Sequence, residues 1–190
     1  NSYNTAVGFQ AGYSVTTGIQ NTLIGGLAGT KLTDADYNVA VGVGALDLDT
    51  KGSKSTAIGY DALSTQNFTS STDSNNTAVG YNAGAAVTTG TSNTLIGSGA
   101  GDSITTGAGH VLIGEATGTS ITTNNHNTFV GRNVGTSTTG GQNTFVGCSN
   151  GSTGSTGHYI TTGTKNTIIG AFSGNQGNLD IRTSSNNVVL

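Results

Sequence analysis

A five-residue word, Asn-Thr-apolar-(Val/Ile)-Gly, recurs down the whole chain and restricts its fold more than any other feature. The word or a close variant starts at Asn4, Asn21, Asn38, Ser55, Asn76, Asn93, His110, Asn127, Asn143, Asn166 and Asn186, at spacings of 17, 17, 17, 21, 17, 17, 17, 16, 23 and 20 residues. Seventeen residues are too few for a repeat built from helices, which takes about 33 to 47. Regular Gly and β-branched residues disfavour helix further. The period suits two short strands and two tight turns, with successive copies stacked as rungs of a parallel β-solenoid or β-roll. The expected fold is therefore all-β. Residues 1–190 would form a single repeat domain of about ten rungs plus a terminal partial one. At roughly 4.8 Å per rung the rod would be about 50 Å long.

Composition agrees with a repeat and excludes several functions. Charged residues are 8% of the chain and Gly contributes 32 of its 190 residues, a balance also found in disordered linkers. Linkers lack evenly spaced Val and Ile, so this chain folds. A net charge of −3 with six basic residues provides no stripe to neutralise phosphates, which argues against nucleic acid. The apolar runs are too short to span a bilayer and no signal-peptide pattern is present. The chain begins inside a repeat without Met, as a piece of a longer protein would. Its single cysteine, Cys148, has no internal disulfide partner and reads as a small turn residue.

Alternation distinguishes the surfaces of a rung. The fourth word position is Val or Ile in the ten words before the last: Val7, Ile24, Val41, Ile58, Val79, Ile96, Ile113, Val130, Val146 and Ile169. The third, on the opposite face, is also apolar, running from Ala6 and Leu23 to Phe145 and Ile168. A strand apolar on both faces is buried on both, and one thin coil can cover only one of them. A second strand (Ser14-Val15-Thr16, Ser103-Ile104-Thr105 and their equivalents) carries one apolar residue between polar ones, as a strand with one wet face does. Three chains with their word strands inward satisfy this pattern, since closed symmetry buries one identical patch per subunit; alternation alone also allows a dimer of solenoids. We assign the third position to the interchain face, where Leu95→Asp or Phe129→Asp would disrupt assembly, and turn Val and Ile into the coil. The third position grows from Ala40, Ala57 and Ala78 to Leu112, Phe129 and Phe145, so the walls should separate toward the C-terminal end.

The stretches "NTAVGYNAGAAVTTGTSNTLIG" and "KSTAIGYDAL" resemble the repeats of bacteriophage tail-fibre proteins and related bacterial surface proteins. They are also similar to the (Asn/Ser)-x-Ala-Ile-Gly head repeats of YadA-type trimeric autotransporter adhesins. The resemblance covers all eleven words. It implies a trimeric, left-handed β-roll used as a shaft or head, extracellular, on a virion tail fibre or a bacterial surface. The seventeen-residue period and frequent Thr-Thr-Gly favour the fibre branch. Fold alone does not determine function.

Residues that carry chemistry are sparse. His110 and His126 lie at or beside the Asn position, in a turn role. The pairs Asp34/Asp36 and Asp47/Asp49 offer oxygens for a hard cation but lack the spacing of calcium-binding rolls and read as turn residues. The expectation is no enzyme, no cofactor and no metal. Two period-breaking stretches, "GSTGSTGHYITTG" and "GNQGNLDIRT", are expected to extend from one corner, after the second Gly of the rung. They bring His158, Tyr159, Asp180 and Arg182 near the C-terminal end, the candidate binding residues for a cell-surface glycan or another receptor. The excess near Ser64–Asn75 has no clear place in the rung. Two rival functions remain. One is ice binding, from the Thr row Thr16, Thr88, Thr105, Thr122 and Thr161, interrupted at Asp49 and Gln66. The other is a polysaccharide-degrading tailspike, which needs a pair of carboxylates at catalytic spacing.

Overall fold

Thr5–Val7, Thr22–Ile24 and the later words form three-residue strands, the last shortened to Val188–Val189, that hydrogen-bond in sequence order into one eleven-stranded sheet. All its pairs are parallel and in the register of the word, Thr5 opposite Thr22, Ala6 opposite Leu23, Val7 opposite Ile24. This is a parallel β-solenoid, seen in a computed structural model that describes residues 2–148 and 154–190. Each rung has one regular strand. The expected second strand runs as turns and bends, although its backbone still bonds to the next rung, as in Thr88 N–H to Thr105 O at 2.9 Å. Turn-rich return segments keep these ties because a rung one period away presents the same carbonyl. The last word starts one residue later than its sequence suggests: Thr167 pairs with Val188, and Asn187, not Asn186, takes the Asn position.

The corner glycines have distinct physical reasons. At Gly8, with φ of 137°, a Cβ would stand 2.5 Å from the Gly25 carbonyl oxygen. The word glycines therefore allow the corner backbones of successive rungs to touch. The second glycine is a slot for a core side chain. A Cβ at Gly29 would lie 2.8 Å from Leu23, and one at Gly135 would lie 2.3 Å from the Phe129 ring.

The assignment of faces is the reverse of the expectation. The third-position residues Leu23, Ala40, Ala57, Ala78, Leu95, Leu112, Phe129, Phe145 and Ile168 are all fully buried inside the coil. Val and Ile at the fourth position face outward; Ile58 is 39% exposed and Ile169 51%. Most of the interior fills by compensation within the rung; the Ala78 rung, with Gly84 opposite, is filled from its neighbours by Leu63 and Leu95. Where the third position is Ala40 or Ala57, the slot opposite holds Leu46 or Leu63, both buried in left-handed conformation (φ 53° and 51°). Where it is Leu or Phe, the slot holds Gly. Phe129 and Phe145 stack at 4.6 Å within the core. Larger third-position residues thus fill space vacated by the slot, so their growth along the chain gives no reason for walls to separate.

A hydrogen-bonded ladder holds the other corner. Each Asn that opens a word accepts, on Oδ1, the backbone N–H of the next Asn. Asn21 N–H donates to Asn4 Oδ1 at 2.8 Å and Asn93 N–H to Asn76 Oδ1 at 2.9 Å. Its Nδ2 donates to a carbonyl of the following corner, as Asn93 does to Gly107 O at 3.0 Å. The buried amide is thereby satisfied on both sides. At Ser55 the side chain is too short for both roles. Its hydroxyl instead meets Ser74 Oγ at 2.7 Å, and Gln66 reaches Asn76 across the interior at 2.8 Å.

Candidate functional site

The outward face of the sheet presents the same residue types at nearly every word. Positions two and four of each word point the same way, giving a column of Thr, interrupted by Val39 and Val111, beside a column of Val and Ile from Val7 to Ile169. Neither column contains a charged residue. The column just past the corner glycine adds Phe9, Val43 and the stacked pair Tyr60–Tyr81, whose ring centroids are 5.5 Å apart. Farther along it contains Glu115 and Arg132, which neutralise each other at 2.9 Å. The Val/Ile stripe is partly exposed along the sheet, from Val7 to Ile169. The word Thr hydroxyls (Thr22, Thr56, Thr77, Thr94) make no hydrogen bond within the chain.

The Thr row of the return segment is different. Thr16, Thr88, Thr105 and Thr161 donate their hydroxyls to the next rung's carbonyl, at 3.1, 3.1, 3.3 and 3.3 Å. They act as staples between rungs. Asp49 and Gln66 do not interrupt this row. They are buried, at the inward position that Leu32 and Val87 occupy elsewhere. Asp49 Oδ1 accepts Gly52 N–H at 3.0 Å and Phe68 N–H at 3.1 Å, and its Oδ2 accepts Gln66 Nε2 at 2.5 Å. Asp34 pairs with Lys51 at 3.8 Å and Asp36 accepts Ile19 N–H at 2.8 Å. These carboxylates serve different partners. Among the described residues no group of three His, Cys, Asp or Glu is placed to hold a metal.

His110 replaces Asn in the ladder. Its Nδ1 accepts Asn127 N–H at 3.2 Å and its Nε2 lies 2.7 Å from Asn124 O, so the neutral ring with the proton on Nε2 reproduces both roles of the amide. Burial, and secondarily the charge of His126, holds its pKa below the ordinary 6.5. Cys148 is exposed and free.

The four candidate binding residues fall on two adjacent rungs. His158 packs edge-on to Tyr159 at 4.6 Å, and its Nδ1 lies 2.6 Å from Thr136 Oγ1. Arg182 binds Asp180 through two side-chain bonds of 3.0 and 2.7 Å, so its charge is answered at home. The Asp180 pKa is lowered by those bonds. Asp180 and Arg182 border one shallow depression with Thr161 and Thr183, whereas His158 borders another with Asn133 and Thr136. The structure does not unite them in one site. The two insertions also leave from different corners. Gly135 N–H donates to Thr156 O as Gly118 N–H does to Val134 O, which puts Gly157 at the second-glycine position and the first excess before it. Residues 149–153 of that excess lie outside the described residues. The second excess follows Ser173 as a small hairpin, Asn175–Gln176 against Leu179–Asp180, turned by Gly177 and Asn178 at φ of 57° and 71°. The excess near Ser64–Asn75 now has a place: it leaves at the corner before Asn76, where Thr72–Asp73 pairs with Gly52–Ser53.

Sequence reasoning overlooked the residue before each word Asn. Gln20, Tyr37, Lys54, Asn75, Ser92, His126, Gln142, Lys165 and Asn186 all have φ between 51° and 63°. The signal was there, since the column holds no β-branched residue, but it names no side-chain type. The chain matches no protein-family model, no curated protein and no solved structure.

Proposed function

We propose that this chain is a structural and adhesive segment of an extracellular fibre, on a phage tail or a bacterial surface. Three copies would associate in parallel through the Thr/Val/Ile face. The observation that supports this reading is the uncharged stripe repeating at the rung pitch. A partner that covers ten rungs without losing register must carry the same repeat, and a second copy of the chain does so by construction. Closed symmetry then covers the stripe of every copy. The face that meets the partner is the fourth word position, not the third. Sedimentation of the wild type against Ile58→Asp and Ile96→Asp tests it: the wild type runs as a trimer and the variants as folded single chains.

A second reading, ice binding, uses the same face. Its Thr hydroxyls make no bond within the chain and stand beside Val and Ile methyls at regular spacing. Thermal hysteresis of the purified protein, absent from a denatured control, would favour this reading; no hysteresis leaves the face to assembly.

A further inference from the structure

The corner before the word carries a second, shorter ladder at four places along the chain. Two residues before the word Asn, the backbone N–H donates to a side-chain oxygen of the next rung. Ile19 N–H bonds to Asp36 Oδ1 at 2.8 Å, Asp36 N–H to Ser53 Oγ at 3.0 Å, Ala108 N–H to Asn125 Oδ1 at 2.8 Å and Thr164 N–H to Ser185 Oγ at 3.0 Å. The Asn127 rung is one residue short and has Gly140 and Gly141 at this corner. Asn125 N–H therefore faces a glycine and finds no acceptor. Gly141 N–H finds none among the described residues either. The ladder also lapses at Ser74, whose N–H bonds to Ser53 O instead, and at Thr91, opposite Ala108, but at Asn125 and Gly141 two successive donors are unpartnered among the described residues.

Space opens at the same point. Between the Asn124–Asn125–His126 corner on one side and Thr164 on the other, the two glycines leave a notch of about 340 Å³ floored by Gly141 and edged by Gln142. The His126 ring, the Gln142 amide and the Asn124 amide make no hydrogen bond within the chain. No carboxylate lines the notch, and Lys165 follows Thr164 directly, its backbone N–H on Gly141 O at 3.3 Å. This corner lies on the edge of the word sheet away from the Val/Ile column.

We propose that this notch is a binding site for a carboxylate-bearing saccharide. Its carboxylate oxygen takes the place that Asp36 Oδ1 fills two words into the chain, accepting the Asn125 and Gly141 N–H groups. Neighbouring hydroxyls bond to His126 and Gln142. Asp36 shows that this backbone position accommodates a carboxylate oxygen, and the Asn125 and Gly141 N–H groups are available to donate to one. The site goes beyond the assembly reading and stands without it.

The test is a titration of the intact protein with trigalacturonate and, in parallel, with the neutral maltotriose, followed by calorimetry and by the His126 and Gln142 side-chain resonances. Trigalacturonate is expected to bind saturably and maltotriose at least about tenfold more weakly, the scale of one lost charge-assisted bond. Gly141→Ser supplies the missing oxygen from within and should weaken trigalacturonate by about tenfold or more. A Cβ there would stand 2.8 Å from the Asn125 carbonyl oxygen, so Gln142→Gly, which keeps the left-handed backbone, is measured beside it with the same expected loss. Sedimentation of both variants separates loss of the site from loss of assembly. No saturable binding, equal binding of maltotriose, or unchanged affinity in both variants would overturn the proposal.

Discussion

Left-handed residues before each word Asn show how much backbone strain the rung accepts to turn its corner. Each non-glycine there costs on the order of 1 kcal/mol, and the ladder of Asn amides beside it over-determines the conformation. Ser92→Gly and Gln20→Gly should therefore each stabilise the fold by about 0.5–1 kcal/mol in urea unfolding, while Ser92→Val should destabilise it by at least about 1 kcal/mol. His110 makes a prediction of opposite character. Its folded pKa lies below 6.5, so between the two values the unfolded chain binds more protons than the folded one. Stability is complete above about pH 6.5 and falls as acid carries the ring through that window, because a protonated Nδ1 cannot accept Asn127 N–H. Melting curves from pH 8 to pH 4 should show that loss, and His110→Asn should remove this part of it. That His110 stands in an Asn role was legible from the word itself. The acceptor and donor it supplies were not, because they depend on a rung seventeen residues away.

Rungs balance large against small inside the coil, and this can be tested as a unit. Gly29→Leu alone should cost about 2 kcal/mol or more, since the new side chain meets Leu23. With Leu23→Ala added, the rung acquires the Ala/Leu pairing of the Ala40 and Ala57 rungs. Most of the loss should return, with a coupling energy of about 1–3 kcal/mol in a double-mutant cycle. Additive losses would mean that the slot does not work as described. The period, the parallel register and the glycine corners were readable because they repeat at fixed positions. Which side of the word strand faces inward was not, because both sides are apolar and alternation only separates them. The decision lies in Phe129 against Gly135 and Ala57 against Leu63, a pairing visible once the rung is closed. The return segment reads as a strand because Val15, Ile104 and Ile121 sit between polar neighbours, a pattern that a chain of turns around an inward side chain reproduces. Of the candidate loop residues, Asp180 answers its near neighbour Arg182, whereas His158 answers Thr136 twenty-two residues back, a pairing that linear order conceals.

For the whole molecule the face reversal changes what assembly depends on. A charge at Phe129 or Leu95 would now be buried inside one coil and should unfold the rungs around it. A charge at Ile58 or Ile96 should leave the coil intact and separate the copies. Circular dichroism distinguishes these outcomes, with the β signal lost in Phe129→Asp and kept in Ile96→Asp. The most direct measurement is native mass spectrometry of the wild-type chain and Ile96→Asp at low micromolar concentration. The expected result is three chains of 18.8 kDa together for the wild type and one folded chain for the variant. A stable wild-type monomer would contradict the proposed assembly, as would a variant that still forms the trimer.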